Sequence, residues 1–179
     1  MKTLIIYVSK RGTTKESAIK VGNDIKADVI GIKEVNQNIL KDYEQVIIGS
    51  YLYAGMIPAK MKKFIINNAG ILKSKKISFF VMGIGQDKEM IETFKKQLPK
   101  ELIDNIFAIE HFGGEMRLDK ANFFEKIILK KVVEEQKLNP KVNEEAINNF
   151  INRIKDGMKW ERYFQCLEFL YWLSQHLWL

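Results

Sequence analysis

Leu4-Ile5-Ile6-Tyr7-Val8, followed at once by Ser9-Lys10-Arg11-Gly12-Thr13-Thr14, is the stretch on which the reading of the fold turns. An unbroken apolar run of this length reads as a strand buried on both faces, the kind found in parallel sheets. The residues after it supply hydroxyls, a glycine and two cations just where a helix begins. A helix N-terminus presents unpaired backbone N–H groups and a partial positive charge, so the loop suits a phosphate. The same residues also suit a plainer role, with Ser9, Thr13 and Thr14 capping the helix. On this stretch alone both readings stand.

Working outward, helical spacing of Ala18, Val21 and Ile25 predicts a first helix over residues 13–27. Short apolar runs at 29–32, 46–50, 77–82 and 106–109 read as further strands. A helix from Pro58, in its first turn, runs to about residue 68 through Met61, Phe64 and Ile65. Another runs from Asp87 through Met90, Ile91, Phe94 and Leu98 and is stopped by Pro99. Residues 120–135 and 143–155 give two more, separated by Asn139-Pro140, with Gly157 as the last stop. Strand and helix thus alternate from end to end, which predicts an α/β fold: an open parallel sheet with helices on both faces.

At 179 residues the chain is one domain with room for a proper core. We take residues 1–157 as that domain and 158–179 as a tail of different character. The tail holds all three tryptophans (Trp160, Trp172, Trp178) and the single cysteine, Cys166. It is too short and too interrupted by Glu161, Arg162 and Glu168 to span a membrane. A helix packed on its own domain, a homo-oligomer contact and a peripheral membrane contact all fit it, and the latter two suit a domain already complete at Gly157. One cysteine excludes an internal disulfide, and Cys166 without a basic neighbour reads as a small apolar residue. Two histidines, His111 and His176, give no metal site. The start runs straight into the first strand, so a cytoplasmic setting is expected. The net charge of +7 is spread over helix surfaces without a nucleic-acid motif, and no nucleic-acid partner is expected.

Ligands of open parallel sheets bind at the carboxyl ends of the strands, so the loops there form one candidate site. Loop one offers Ser9, Lys10, Arg11, Gly12, Thr13 and Thr14; loop three offers Ser50, Tyr51, Leu52, Tyr53, Ala54 and Gly55. Loop four offers Gly83, Ile84 and Gly85, where backbone can approach a ligand closely. Such a set holds a phosphate at one end and a flat ring against tyrosine at the other. The spacing excludes G-x-x-x-x-G-K-[ST], G-x-G-x-x-G after the first strand, and a G-x-S-x-G elbow. His111 and Arg117 read either as contacts to an acidic substrate or ring edge, or as surface ion pairs.

Ser9-x-Arg11-Gly12-x-Thr14 after Ile5-Ile6-Tyr7 resembles the flavodoxin phosphate loop, [ST]-x-T-G-x-T, and residues 46–55 resemble that family's third strand and flavin-flanking loop. The resemblance implies a flavodoxin fold with five parallel strands in the order 2-1-3-4-5 and non-covalent FMN. By position, Ser9, Arg11, Gly12, Thr13 and Thr14 would surround the phosphate, with Ser50, Tyr51 and Tyr53 near the ring and Gly83, Ile84 and Gly85 on its other side. No catalytic residue and no metal are implied. Arg11 stands where the family has threonine, loop four lacks an aromatic, and the chain is basic where shuttle flavodoxins are acidic. Ile48-Gly49-Ser50-x-x-Tyr53-Ala54-Gly55 and Gly113-Gly114-Glu115-Met116-Arg117-Leu118 are similar to segments of the flavodoxin-like protoporphyrinogen dehydrogenases. That branch implies an oxidoreductase acting on a quinone or small organic substrate. The wider family implies the alternative, an electron carrier serving a redox partner protein.

Overall fold

The computed structural model describes residues 1–36, 38–115 and 140–176. The expected helix at 120–135, Arg117, and the side chain of Cys166 lie outside the described residues. The strands are β1 (Thr3–Tyr7), β2 (Asp28–Gly31), β3 (Gln45–Tyr51), β4 (Lys76–Met82) and β5 (Ile106–His111). They form one sheet in the order β2-β1-β3-β4-β5, with every neighbouring pair parallel. The helices are α1 (Thr13–Ile25), α2 (Ala59–Asn67), α3 (Ala69–Lys73), α4 (Asp87–Lys95), α5 (Lys100–Ile103) and α6 (Glu144–His176).

The continuous apolar strands are buried on both faces because each alternates its side chains between two cores. Leu4 and Ile6 of β1, with Phe79 and Val81 of β4, join Met61, Ile65, Phe94 and Leu102 on the α2–α5 side. Ile5, Ile47, Phe80 and Met82 join Val21 of α1 and Ile147, Phe150 and Ile154 of α6 on the other. Gly49 faces Phe80 so closely that a Cβ there would come within 2.1 Å of its ring. The missing side chain is what lets the aromatic lie flat on β3.

Several helix limits differ from the sequence reading. Pro58 is the cap residue before α2, with extended ψ of 133°, rather than a member of its first turn. The helix after β4 ends at Lys95, and two short helices, α3 and α5, appear that periodicity did not predict. Gly157 does not stop α6, which runs on to His176. The glycine lets the helix pass close to two strands: a Cβ would come within 2.5 Å of Phe107 and 2.7 Å of Lys76 Nζ. The helix crosses the sheet margin at this point. Beyond it Trp160, Tyr163 and Leu167 are exposed. Among the described residues no helix is long and apolar enough to cross a membrane.

The connection into β3 is tied to the edge strand by one side-chain bond. The Tyr43 hydroxyl donates to Asp28 Oδ2 at 2.7 Å. The Asp28 carboxylate holding that proton, and then burial, push the Tyr43 hydroxyl up to about 12. A raised folded value means that the stabilisation is complete below pH ~10 and is lost as pH climbs toward 12. Tyr43→Phe is therefore expected to cost about 0.5–1.5 kcal/mol at pH 8. In urea melts the gap from the parent protein narrows at pH 11–12; a gap unchanged by pH would show that the bond does not hold.

Candidate functional site

The strand order reverses between β1 and its two neighbours, so the loops after β1 and β3 part there and leave a crevice at the carboxyl edge. A cavity of about 350 Å³ occupies it, within the range of small-molecule sites. Three walls define it.

The first wall is the β1–α1 loop. Gly12 precedes α1 with φ 104° and ψ −31°, a conformation that side-chain-bearing residues rarely adopt. Its N–H donates to Ser9 Oγ at 3.0 Å, so the serine shapes the loop. Among the described residues no side chain caps α1. The capping role open to Ser9, Thr13 and Thr14 in sequence is thus not taken up, and the first-turn amides remain available to an anion. Ser9, Lys10, Arg11, Thr13 and Thr14 all line the cavity.

The second wall is the turn after β3. Tyr53 and Met56 exchange both backbone hydrogen bonds at 3.0 Å around Ala54 and Gly55. Both central residues have positive φ, 48° and 74°, which makes this a tight turn of the I′ kind. An alanine in the left-handed region costs on the order of 1 kcal/mol. The turn is braced from outside by Gln97, whose amide donates to Gly55 O at 2.8 Å and accepts from Ile57 N–H at 3.1 Å. Tyr51, Leu52, Tyr53, Ala54 and Gly55 line the cavity, and Tyr53 is 47% exposed. Lys10 Nζ lies 4.3 Å from the Tyr53 ring centroid, so loops one and three meet through a cation–π contact.

The third wall is the loop after β4. Gly83 N–H donates to Gly113 O at 2.9 Å, and a Cβ on Gly114 would come within 2.6 Å of the Gly83 backbone. His111 is 1% exposed and reaches this loop with both ring nitrogens. Nε2 donates to Gly83 O at 2.9 Å, and Nδ1 lies 2.7 Å from Asp87 Oδ1. The expected surface or substrate role for His111 gives way to a buried clamp, because β5 ends one strand away from the loop it holds. Beside it burial pushes the Glu110 carboxyl up, opposed by Arg153, whose Nη1 is 3.9 Å away. His111→Leu leaves the Gly83 carbonyl and Asp87 without that partner and is expected to cost about 1–2 kcal/mol. Faster amide exchange at residues 83–87 would report the loosened loop, and unchanged protection there would sink the clamp role.

Of the residues read from sequence, Ser50, Gly12 and Gly85 do not line this cavity. Ser50 is fully buried and donates to Tyr51 O at 3.1 Å. Gly85 borders a smaller polar hollow of about 210 Å³ beyond the loop, with Asp87, His111 and Lys141. Gly83 and Ile84 line the main cavity together with Met82, Met90, Gly114 and Glu115, which the sequence reading did not assign to it. Met90 had the spacing of a core residue on its helix, and only the packing turns it toward the cavity.

The geometry has counterparts. A family model described as a flavodoxin domain matches residues 4–143. The protoporphyrinogen IX dehydrogenase [quinone] of Escherichia coli (strain K12) is 26% identical over 89 residues, 47% of this chain and 49% of that protein. The chain thus matches about half the length of such curated relatives. A flavodoxin from Streptococcus pneumoniae TIGR4 superposes with a TM-score of 0.56 at 15% identity, over 88% of this chain and 99% of its own. A flavoprotein from Lactobacillus acidophilus NCFM, solved in complex with FMN, gives 0.50 at 17% identity over 62% and 92%. The family model spans most of the sequence, and the sheet order is the one its phosphate loop led us to expect. The chain belongs to the flavodoxin-domain family.

Proposed function

We propose that this protein binds FMN in the carboxyl-edge cavity and is an oxidoreductase acting on a quinone or another small organic acceptor. The observation that carries the reading is the cavity's polarity: an uncapped helix start with hydroxyls and a cation at one end, tyrosine and glycine backbone at the other. These residues fit the group. The first-turn amides of α1, the hydroxyls of Ser9 and Thr14, and the Arg11 guanidinium suit a phosphate dianion. Ser9 Oγ accepts from Gly12 N–H and keeps its own proton to donate. The Tyr53 face and the β4-side wall, lined by Met82, Ile84 and Met90, suit the two sides of a flat ring.

When bound, FMN supplies the reversible electron transfer, and the chain supplies position and field. The braced turn at Ala54-Gly55 and the clamp from His111 hold the two ring-side walls at a set spacing. Arg11 and Lys10 line the cavity, and a cation beside the ligand favours added negative charge on it. The E. coli relative is a quinone-linked dehydrogenase, which supports the quinone part of the reading.

Titration of the purified protein with FMN, followed by flavin fluorescence, tests the first step; quenching to a 1:1 end point is expected, and its absence removes the reading. Turnover with protoporphyrinogen IX as donor and a water-soluble benzoquinone as acceptor tests the second. Stoichiometric exchange with a redox protein, without quinone turnover, would replace the enzyme by an electron carrier.

A further inference from the structure

The β4 side of the cavity carries no aromatic side chain among its described lining residues; Met82, Gly83, Ile84 and Met90 make that wall. Met90 comes from the first turn of α4 and lies across the loop in a particular way. A Cβ on Gly83 would come within 2.2 Å of its terminal methyl. A Cβ on Gly85 would come within 2.7 Å of its sulfur and 2.9 Å of its Cγ. The whole thioether therefore rests in a slot that exists only because two neighbouring residues lack side chains.

The Gly83 part of that slot's floor is tied to its neighbours. Gly83 is bonded to Gly113, held by His111 through its carbonyl, and backed by Gly114 at a separation that leaves no room for a Cβ. A backbone floor anchored at Gly83 thus carries one flexible, polarisable side chain at the cavity wall. Thioethers pack favourably against flat π systems, with sulfur about 5 Å from the ring, and their three torsions let them follow its shape. The turn after β3 presents half-exposed Tyr53 to the same cavity.

We propose that Met90 is the ring-contacting residue of the β4 wall, so that the flat ring of the ligand is bounded by a tyrosine on one loop and a thioether on the other. The proposal rests on FMN being that ligand. Gly83 and Gly85 are then packing partners of Met90 rather than direct ligand contacts, which changes the role expected of them from sequence.

Methyl spectra of protein labelled at methionine provide the direct test. There are seven methionines, and loss of one signal in Met90→Leu assigns the relevant one. On addition of FMN the Met90 methyl signal is expected to move upfield through the ring current. In fluorescence titrations Met90→Ala is expected to raise the FMN Kd roughly 3- to 10-fold, from the usual worth of a sulfur–aromatic contact. Met90→Leu, of similar volume, is expected to stay within about 3-fold. A Met90 methyl that stays in place while FMN fluorescence is quenched overturns the proposal and leaves FMN binding intact. A folded Met90→Ala protein with parental Kd does the same. If FMN gives neither quenching nor any methyl shift in the parent protein, the FMN reading falls and this proposal with it.

Discussion

Phe80→Ala is expected to lower the unfolding free energy by about 3–5 kcal/mol, the usual loss for a fully buried phenylalanine. Phe80 is wholly buried and stacks on Phe112, with ring centroids 4.8 Å apart and planes 8° from parallel. Phe150 of α6 meets both rings edge-on, at 6.4 Å from Phe80 and 5.4 Å from Phe112. The three aromatics join β4, the end of β5 and the first part of α6, so truncating the central ring opens a cavity bordered by all three. Neighbours cannot collapse into it easily, because Gly49 on the adjoining strand has no side chain to offer. Against a typical stability of about 5–15 kcal/mol the loss is large enough to leave part of the protein unfolded at 37 °C. Urea melts decide it: the midpoint falls with little change in slope. A loss below about 1 kcal/mol would mean that the cluster is not the packing centre described above.

Arg11→Thr restores the residue usual in the family's loop and is expected to weaken FMN binding roughly 10- to 150-fold. That range is the 1.5–3 kcal/mol of a hydrogen bond to a charged group, converted to an affinity ratio. Arg11 lines the end of the cavity formed by the β1–α1 loop, beside a helix start that has no side-chain cap among the described residues. Riboflavin has no phosphate, so its weaker binding should hardly change, and the FMN-over-riboflavin preference should shrink by the same ratio. Added salt should erode the parent protein's affinity more than that of the variant. Equal FMN affinity in both would show that neutral donors and the helix start suffice. A cation beside the flavin favours its reduced, more negative form, so the same variant is expected to lower the redox potential. Removing one cation that shifts the equilibrium by a unit would lower the two-electron midpoint by about 30 mV.

Much of the fold was legible because its signals are local. Apolar runs such as residues 46–50 and 77–82 can be buried only between two layers, so the parallel sheet follows from composition and order. The turn of the β1–α1 loop was equally legible, since a glycine at φ 104° is a backbone requirement written at one position. The end of α6 was not legible. A glycine reads as a helix stop when only its own neighbours are considered, but Gly157 serves the close approach of Phe107 and Lys76 from distant strands. His111 was misjudged for the same kind of reason. Nothing near it in sequence reveals Asp87 or the Gly83 carbonyl, which the parallel pairing of β4 with β5 brings to its two nitrogens.

By itself, then, the chain of residues determined the strands, their common burial and the glycine-hinged loop that opens α1, because propensity, periodicity and backbone freedom act over a few residues. Only the structure showed that the loop leaves its helix start open, through a local bond from Gly12 N–H to Ser9 three residues away. Only the tertiary structure, too, put Met90 on the cavity wall, clamped the opposite loop with His111 and carried α6 past the sheet. Each depends on space left or filled by residues far apart in the chain, and space between elements is a property of packing that no single stretch of sequence carries.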